Sequence, residues 1–447
     1  MIFNREYRLK KFLKIVCCIL PTLAFSQVNE KVHIKFDFGD GKVESGYTQV
    51  LPSMKYTPER GFGFLTDSTI QSVQREDKDP LKSDFCTAKD PFIFVADVTE
   101  GNYNVFVTLG DKAGKSLTTI KAESRRLMLE KVSTQLGEFK EVVFTTNVRY
   151  SQIDSVTSVR LKPREHNHYN WDKRLSIEFN DQHPCVCAVE IQTAKDPVSI
   201  FLAGNSTVTD QKAEPWAAWG QMLPRFFQPQ KVVVVNHAES GETLKSFIGE
   251  NRLMKLMTTI KSGDYLLIQF AHNDQKPQNS TYVEPFTGYK EYLKVFIKQA
   301  REKGANPVLV TPMHRRKFDE NGKIINTHGD YPEAMRQVAD EEKVPLIDLC
   351  KMSRILFETL GEEGTIHTFV HYPAGTFPGQ DEALKDDTHF NDYGAYELAK
   401  CVVEGIKANH LSIEKYLIQD LQTFDPCHPD SLDNWDFPIS PSMPALK

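Results

Sequence analysis

Between about residue 28 and residue 195, apolar and polar residues alternate with a period of two. The stretch VHIKFDF puts Val32, Ile34, Phe36 and Phe38 on one face; YNVFVTL does so with Tyr103, Val105, Val107 and Leu109, and LSIEF with Leu175, Ile177 and Phe179. EVVFTTNV (141–148) and CAVEIQ (187–192) are further strands, separated from the others by clusters of Gly, Pro, Asp and Asn. Side chains along a strand point alternately to opposite faces, so this pattern describes strands buried on one side. Many short strands without a helical period predict an antiparallel sandwich.

From about Pro197 the pattern changes. VSIFLA (198–203), KVVVVNHA (231–238), DYLLIQFA (264–271), NPVLVTP (306–312) and VPLIDL (344–349) are short, nearly continuous apolar runs. Stretches with helical periodicity, such as GETLKSFIGENRLMKLMTTI and TGYKEYLKVFIKQAREKG, lie between them. Apolar strands alternating with helices predict a parallel sheet covered on both faces. The chain therefore divides into a β-sandwich (27–195), an α/β domain (196–415) and an irregular tail (416–447). The tail is rich in Pro and Asp and is expected to wrap the surface of one domain or the other.

Residues 1–26 stand apart. Five basic residues (Arg5, Arg8, Lys10, Lys11 and Lys14) precede an apolar run from Ile15 to Phe25, and small residues follow at Ala24 and Ser26. This order reads as a secretory signal peptide cut near Ser26 or Gln27, because the run is too short to span a bilayer. The mature chain is expected to be exported, to the periplasm or beyond the cell, without membrane insertion. With 54 Lys+Arg against 60 Asp+Glu the formal charge is −6, and loss of the basic leader makes the remainder more acidic. No nucleic-acid partner is expected of such a surface.

Of eight cysteines, Cys17 and Cys18 leave with the leader; Cys86, Cys185, Cys187, Cys350, Cys401 and Cys427 remain. Three in each half do not make a disulfide framework, although one bridge such as Cys350 with Cys401 is compatible with the count. No paired CxxC is present, which argues against a structural zinc site.

Binding sites of open parallel sheets form beyond the carboxyl ends of the strands. Three successive strands deliver polar clusters there: Gly204-Asn205-Ser206-Thr207, Glu239-Ser240-Gly241-Glu242-Thr243 and His272-Asn273-Asp274-Gln275. A fourth cluster, Asp386, Asp387 and His389, precedes the last helix, whose start is marked by Asn391 and Asp392 as cap candidates. A serine hydroxyl needs a base, and His389 supplies one to Ser206. The imidazole needs an acceptor on its other nitrogen; Asp386 reaches it if the loop before the last helix turns once, and Asp387 is the competitor. Donors for a developing oxyanion are the N–H groups of Ser206 and Gly241 and the side-chain amide of Asn273.

In chain order, Ser206, Gly241, Asn273 and His389 resemble the four blocks of the SGNH (GDSL-type) hydrolases. The stretches WAAWGQMLPRFF, NHAESGET, QFAHNDQKP, TPMHRRKFDENG, THGDYPEAMRQVA, VPLIDL and DDTHFNDYGA are similar to rhamnogalacturonan acetylesterases within that group. The resemblance spans nearly all of 198–410. It implies a flavodoxin-like three-layer α/β/α fold and a serine esterase with Ser206 as nucleophile, Asp386 and His389 as its partners, and Gly241, Asn273 and the Ser206 N–H as oxyanion hole. It implies no metal or organic cofactor, and acetylated polysaccharide as substrate. By analogy the sandwich is galactose-binding-like. One departure is expected to tune the activity: the first block usually reads G-D-S, and here it is Gly204-Asn205-Ser206.

Other readings of the same residues are an acetylesterase for xylan or other sugars, a metal-dependent phosphohydrolase and a non-catalytic polysaccharide-binding protein. The phosphohydrolase would draw ligands from His272, Asn273, Asp274, Asp386, Asp387 and His389. Trp216, Trp219 and Leu223 recur at helical spacing and are expected to face the core. His272 is assigned to packing as readily as to function, and Arg315 and Arg316 to a solvated turn as readily as to a uronate carboxylate.

Overall fold

In the first half, the alternating residues anticipated above meet between two sheets. The computed structural model describes residues 32–65 and 68–442, so the expected signal peptide lies outside the described residues. One sheet has seven strands and orders Phe139–Val148, Gly101–Gly110, Val186–Thr193, His33–Phe38 and Thr48–Val50, with Gln71–Gln74 and Asp84–Thr87 attached. The other has five, in the order Phe62–Phe64, Phe92–Asp97, Arg174–Asn180, Ser116–Ala122 and Arg126–Thr134. Pairing is antiparallel except between His33–Phe38 and Thr48–Val50. Phe36, Phe38, Tyr103, Val105, Val107, Leu109, Leu175, Ile177 and Phe179 are all buried in one core.

The second half holds a five-stranded parallel sheet ordered Val232–Asn236, Val198–Gly204, Tyr265–Gln269, Asn306–Val310 and Leu346–Ile347. Strand order reverses beside Val198–Gly204, and crevices form at such a switch point. Apolar cores lie on both faces. Helices Leu244–Gly249, Arg252–Thr259, Lys290–Glu302, Tyr331–Glu342, Leu349–Ile366 and Asp392–Ala408 supply the covering layers. GETLKSFIGENRLMKLMTTI forms two helices rather than one, because Asn251 takes a left-handed φ of 64° between them.

Strict strand–helix alternation fails at the first crossover, 205–231, where the only α-helix is the four-residue Trp219–Met222. The sandwich covers this segment instead. Arg126 pairs with Asp210 at 2.6 Å, both side chains fully buried. Arg125 donates to the Trp216 carbonyl at 2.8 Å and pairs with Glu214 at 2.6 Å. Leu127 of the sandwich joins the core of the α/β half. The two halves thus share a buried, charged and apolar seam.

The tail contacts both halves rather than one. Trp435 packs on Tyr393 and Tyr396 of the last helix, while Lys121 and Asn180 of the sandwich hydrogen-bond the carbonyls of Pro438 and Ile439. The Cys350–Cys401 bridge does not form. All six described cysteines are free, and Cys350 Sγ lies 3.3 Å from His314 Nε2. Among the described residues no helix is long and apolar enough to cross a membrane.

Candidate active site

Strand Val198–Gly204 ends where the backbone must pass close to its neighbour. A Cβ on Gly204 would lie 2.6 Å from Val208 Cγ2 and 2.9 Å from the Gln269 carbonyl. The chain then turns tightly: the Asn205 carbonyl accepts the N–H groups of Val208 and Thr209, each at 3.0 Å. Asn205 Oδ1 accepts the Thr207 N–H and hydroxyl at 3.2 and 2.9 Å, while its Nδ2 is buried without an acceptor. Ser206 sits at the turn, 8% exposed, with its carbonyl held by Gln211 Nε2 at 2.7 Å.

The segment expected as a loop before the last helix is a strand, Leu384–Phe390, paired with Phe369–Tyr372. Its register jumps: Val370 faces Asp386 and Phe369 faces Phe390, so residues 387–389 bulge out. An extended strand would place residues three apart on opposite faces. The bulge brings Asp386 and His389 together instead. Asp386 Oδ1 accepts the N–H groups of Thr388 and His389 at 2.9 and 3.0 Å. Its Oδ2 lies 2.7 Å from His389 Nδ1, and His389 Nε2 lies 2.8 Å from Ser206 Oγ. With Nδ1–H donated to the carboxylate, Nε2 faces the hydroxyl as an acceptor. Burial alone would raise the Asp386 pKa, but the His389 hydrogen bond and charge and the two backbone N–H groups hold it at about 2. Asp387 turns away to His371 Nε2 at 2.8 Å and Arg316 at 3.4 Å. Asn391 caps the last helix through the Gly394 N–H, at 3.0 Å.

The loops after the adjacent strands are tied to the serine turn. The Glu239 N–H donates to the Gly204 carbonyl at 3.2 Å, and Asn273 Nδ2 donates to the Glu242 carbonyl at 3.1 Å. Gly241 has φ of 80°, a conformation that glycine adopts without strain. Lys276 Nζ donates to Asn273 Oδ1 at 2.7 Å, which fixes the direction of the amide and leaves its second N–H free. Among the described residues neither the Ser206 nor the Gly241 N–H has a protein acceptor. The five residues singled out from the sequence therefore gather at one end of the sheet, on loops that hydrogen-bond one another.

The ligand set of the metal reading does not converge. Asp274 spends both oxygens on the backbone N–H groups of Leu244 and Ala271, is fully buried, and has its pKa pushed up to about 7 by that burial. His272 is buried edge-on against His328, with ring centroids 4.5 Å apart, and its pKa is driven well below the ordinary value by desolvation. Asp387 faces elsewhere, as above. Among the described residues the group spaced for a metal is Asp111, His183 and Cys185 in the sandwich, where Asp111 is already held by Arg75 at 2.7 Å.

Trp219 and Leu223 are buried, with Trp219 Nε1 donating to Gln269 at 3.1 Å; Trp216 lies before the helix and is half-buried. Sequence reasoning passed over Lys276, whose signal was a cation three residues after the oxyanion amide. It also passed over Lys162 and Arg164, which reach Ser240 from the sandwich. Their signal was charge complementarity between KPRE and ESGE, invisible without the fold.

Residues 202–396 match the GDSL-like lipase/acylhydrolase family. Rhamnogalacturonan acetylesterase RhgT of Bacillus subtilis (strain 168) is 43% identical over 226 residues, 50% of this chain and 96% of that protein. The chain belongs to the GDSL-like lipase/acylhydrolase family. This makes it a carboxylic ester hydrolase. Residues 34–131 match the β-agarase/YXIM esterase-like, galactose-binding domain-like family. The uncharacterized esterase YxiM of the same organism is 28% identical over 418 residues, 89% of this GDSL chain and 98% of YxiM. The X-ray structure of YxiM, at 26% identity, covers 85% of this chain and 99% of its own with a TM-score of 0.45.

Proposed function

We propose that this GDSL hydrolase is an exported carbohydrate esterase that removes O-acetyl groups from plant cell-wall polysaccharide, with acetylated rhamnogalacturonan as its substrate. The observation that carries the reading is the continuous relay Asp386–His389–Ser206, with links of 2.7 and 2.8 Å. His389 Nε2 takes the Ser206 proton as Oγ attacks the acetyl carbonyl. The oxyanion is received by the N–H groups of Ser206 and Gly241 and the free amide N–H of Asn273. His389 then returns the proton to the departing sugar oxygen, and water, activated by the same imidazole, releases acetate from Ser206. Apart from that water, these steps use side chains and backbone of this chain.

Two features support an acidic polysaccharide over a neutral one. Lys276, bound to Asn273, and Arg315, bound to the His272 carbonyl at 3.3 Å, have no carboxylate partner among the described residues. Burial lowers the pKa of both. A uronate carboxylate beside them would supply the missing counter-charge. The name of the RhgT relative, a rhamnogalacturonan acetylesterase, points the same way.

The test is acetate release from acetylated rhamnogalacturonan I and from acetylxylan, measured side by side with the parent and Ser206→Ala. Preference for the uronate polymer, lost with Ser206→Ala and weakened by salt, is the expected result. Equal rates on the two polymers would overturn the substrate, and full activity of Ser206→Ala would overturn the mechanism. Export is tested separately, by finding Gln27 or a close neighbour at the N-terminus of protein recovered outside the cytoplasm.

A further inference from the structure

We propose that the β-sandwich is part of the catalytic machinery: Lys162 and Arg164 are positioning residues that aim the Gly241 N–H of the other half into the oxyanion hole. The inference rests on the esterase reading of Ser206.

The Ser240 carbonyl accepts Lys162 Nζ at 2.9 Å and also accepts an N–H of Arg164. In a trans peptide the C=O and the following N–H point in opposite directions within one rigid plane. Anchoring the Ser240 oxygen toward the sandwich therefore sets the direction of the Gly241 N–H, which has no other partner among the described residues. The two cations also polarise this amide and make its N–H a stronger donor.

The peptide is the middle one of a turn closed by the Glu242 N–H on the Glu239 carbonyl at 3.2 Å, and the two cations are the side chains that bind it from outside that turn. Gly241 is exposed, and the nearest atoms a Cβ there would meet are Lys162 Nζ at 3.8 Å and an Arg164 nitrogen at 3.9 Å. The same cations neutralise the flanking acids: Arg164 Nε donates to Glu239 at 2.9 Å, and Lys162 pairs with the fully buried Glu242. The clamp itself is rigid. Glu165 accepts the Lys162 N–H at 2.8 Å and Trp171 Nε1 at 3.0 Å, and forms a completely buried pair with Arg252 of the α/β half. Lys162 and Arg164 of one half thus meet Glu242 and Glu239 of the other around a peptide whose N–H the reaction needs.

A sandwich that only gathers polysaccharide would leave a small soluble ester unaffected. Here it would not. The experiment uses the full chain with 4-nitrophenyl acetate, comparing the parent with Arg164→Gln, Lys162→Met, the double variant and Lys162→Arg. Loss of one oxyanion donor costs about 10²–10³ in rate, so the double variant is expected to lose about that much kcat and each single variant roughly tenfold. KM should be unchanged, Lys162→Arg should recover most of the rate, and phosphonylation of Ser206 by a fluorophosphonate should slow in parallel. Arg164 is half exposed, so Arg164→Gln tests the idea even where the double variant does not fold. Parental kcat in Arg164→Gln and Lys162→Met, or a loss confined to KM, would overturn the proposal. Ser206→Ala in the same assay reports on the underlying reading: if it keeps full activity, that reading fails whatever the clamp variants do.

Discussion

Replacing Asp386 with Asn changes one atom of the relay and two of its hydrogen-bond options. The carboxylate now accepts on both oxygens: Oδ1 from the Thr388 and His389 N–H groups, Oδ2 from His389 Nδ1. An asparagine can keep its oxygen toward only one side. Facing the two backbone donors preserves two hydrogen bonds and turns the amide NH₂ toward His389; the reverse preserves one and sets donor against donor. The first arrangement wins, so Nδ1 must become an acceptor and Nε2 must carry the proton. An Nε2–H cannot take a proton from Ser206. Charge alone does not explain the expected loss. The Asp386 pKa lies at about 2 instead of 3.8, which at about 1.4 kcal/mol per unit is at most roughly 2.5 kcal/mol, and nearer about 2 kcal/mol because the side chain is 31% exposed. That is worth about 30-fold in rate. The wrong tautomer brings the expected loss to about 10³–10⁴ in kcat with little change in KM. Steady-state hydrolysis of 4-nitrophenyl acetate measures it, and ¹⁵N NMR of His389 reports which nitrogen is protonated. Asp387→Asn is the control and should stay within about twofold, because Asp387 is half exposed and faces His371. A loss of 30-fold or less in Asp386→Asn, or a retained Nδ1–H, would refute the tautomer argument.

Further outcomes follow from the same geometry. Asn273→Ala should lower kcat by about 10²–10³, and Lys276→Met, which frees the amide to flip, by roughly tenfold, both read from initial rates. Asp210→Ala leaves the buried Arg126 unpaired at the seam and should cost about 3–5 kcal/mol, measured by urea unfolding; a loss under 1 kcal/mol would mean the seam is not held by this pair. Asn205→Asp puts a second carboxylate oxygen where a buried Nδ2 has no partner, so the folded-state pKa of the new group is raised. The melting temperature of this variant relative to the parent should therefore fall as pH rises from about 4 toward 8, and a constant gap would count against it. For Asp386 the sign is opposite. Its depressed folded-state pKa stabilises the fold above the ordinary value of 3.8, and that contribution is lost as pH falls toward about 2, where Asp386→Asn and the parent should converge in stability.

Much of the architecture was legible in one dimension because it rests on periodicity. A strand buried on one face must alternate, and one buried on both must be apolar throughout. Tyr103 to Leu109 and Val232 to Val235 accordingly lie where their patterns put them. The clusters led by Ser206, Gly241 and Asn273 were legible too, since parallel strands deliver their carboxyl ends to one side of the sheet. Only the tertiary structure could decide the rest. The Asp386–His389 contact needs a bulge in a strand that the residues alone suggested was a loop. The first crossover has almost no helix because the sandwich covers it through Arg125, Arg126 and Leu127, and the tail rests on both halves because its aromatic and backbone partners come from each. Lys162 and Arg164 meet Ser240 across more than 70 positions of sequence. Local pattern encodes which side of an element is buried; which distant charge will stand beside a given peptide is settled only when the two halves pack.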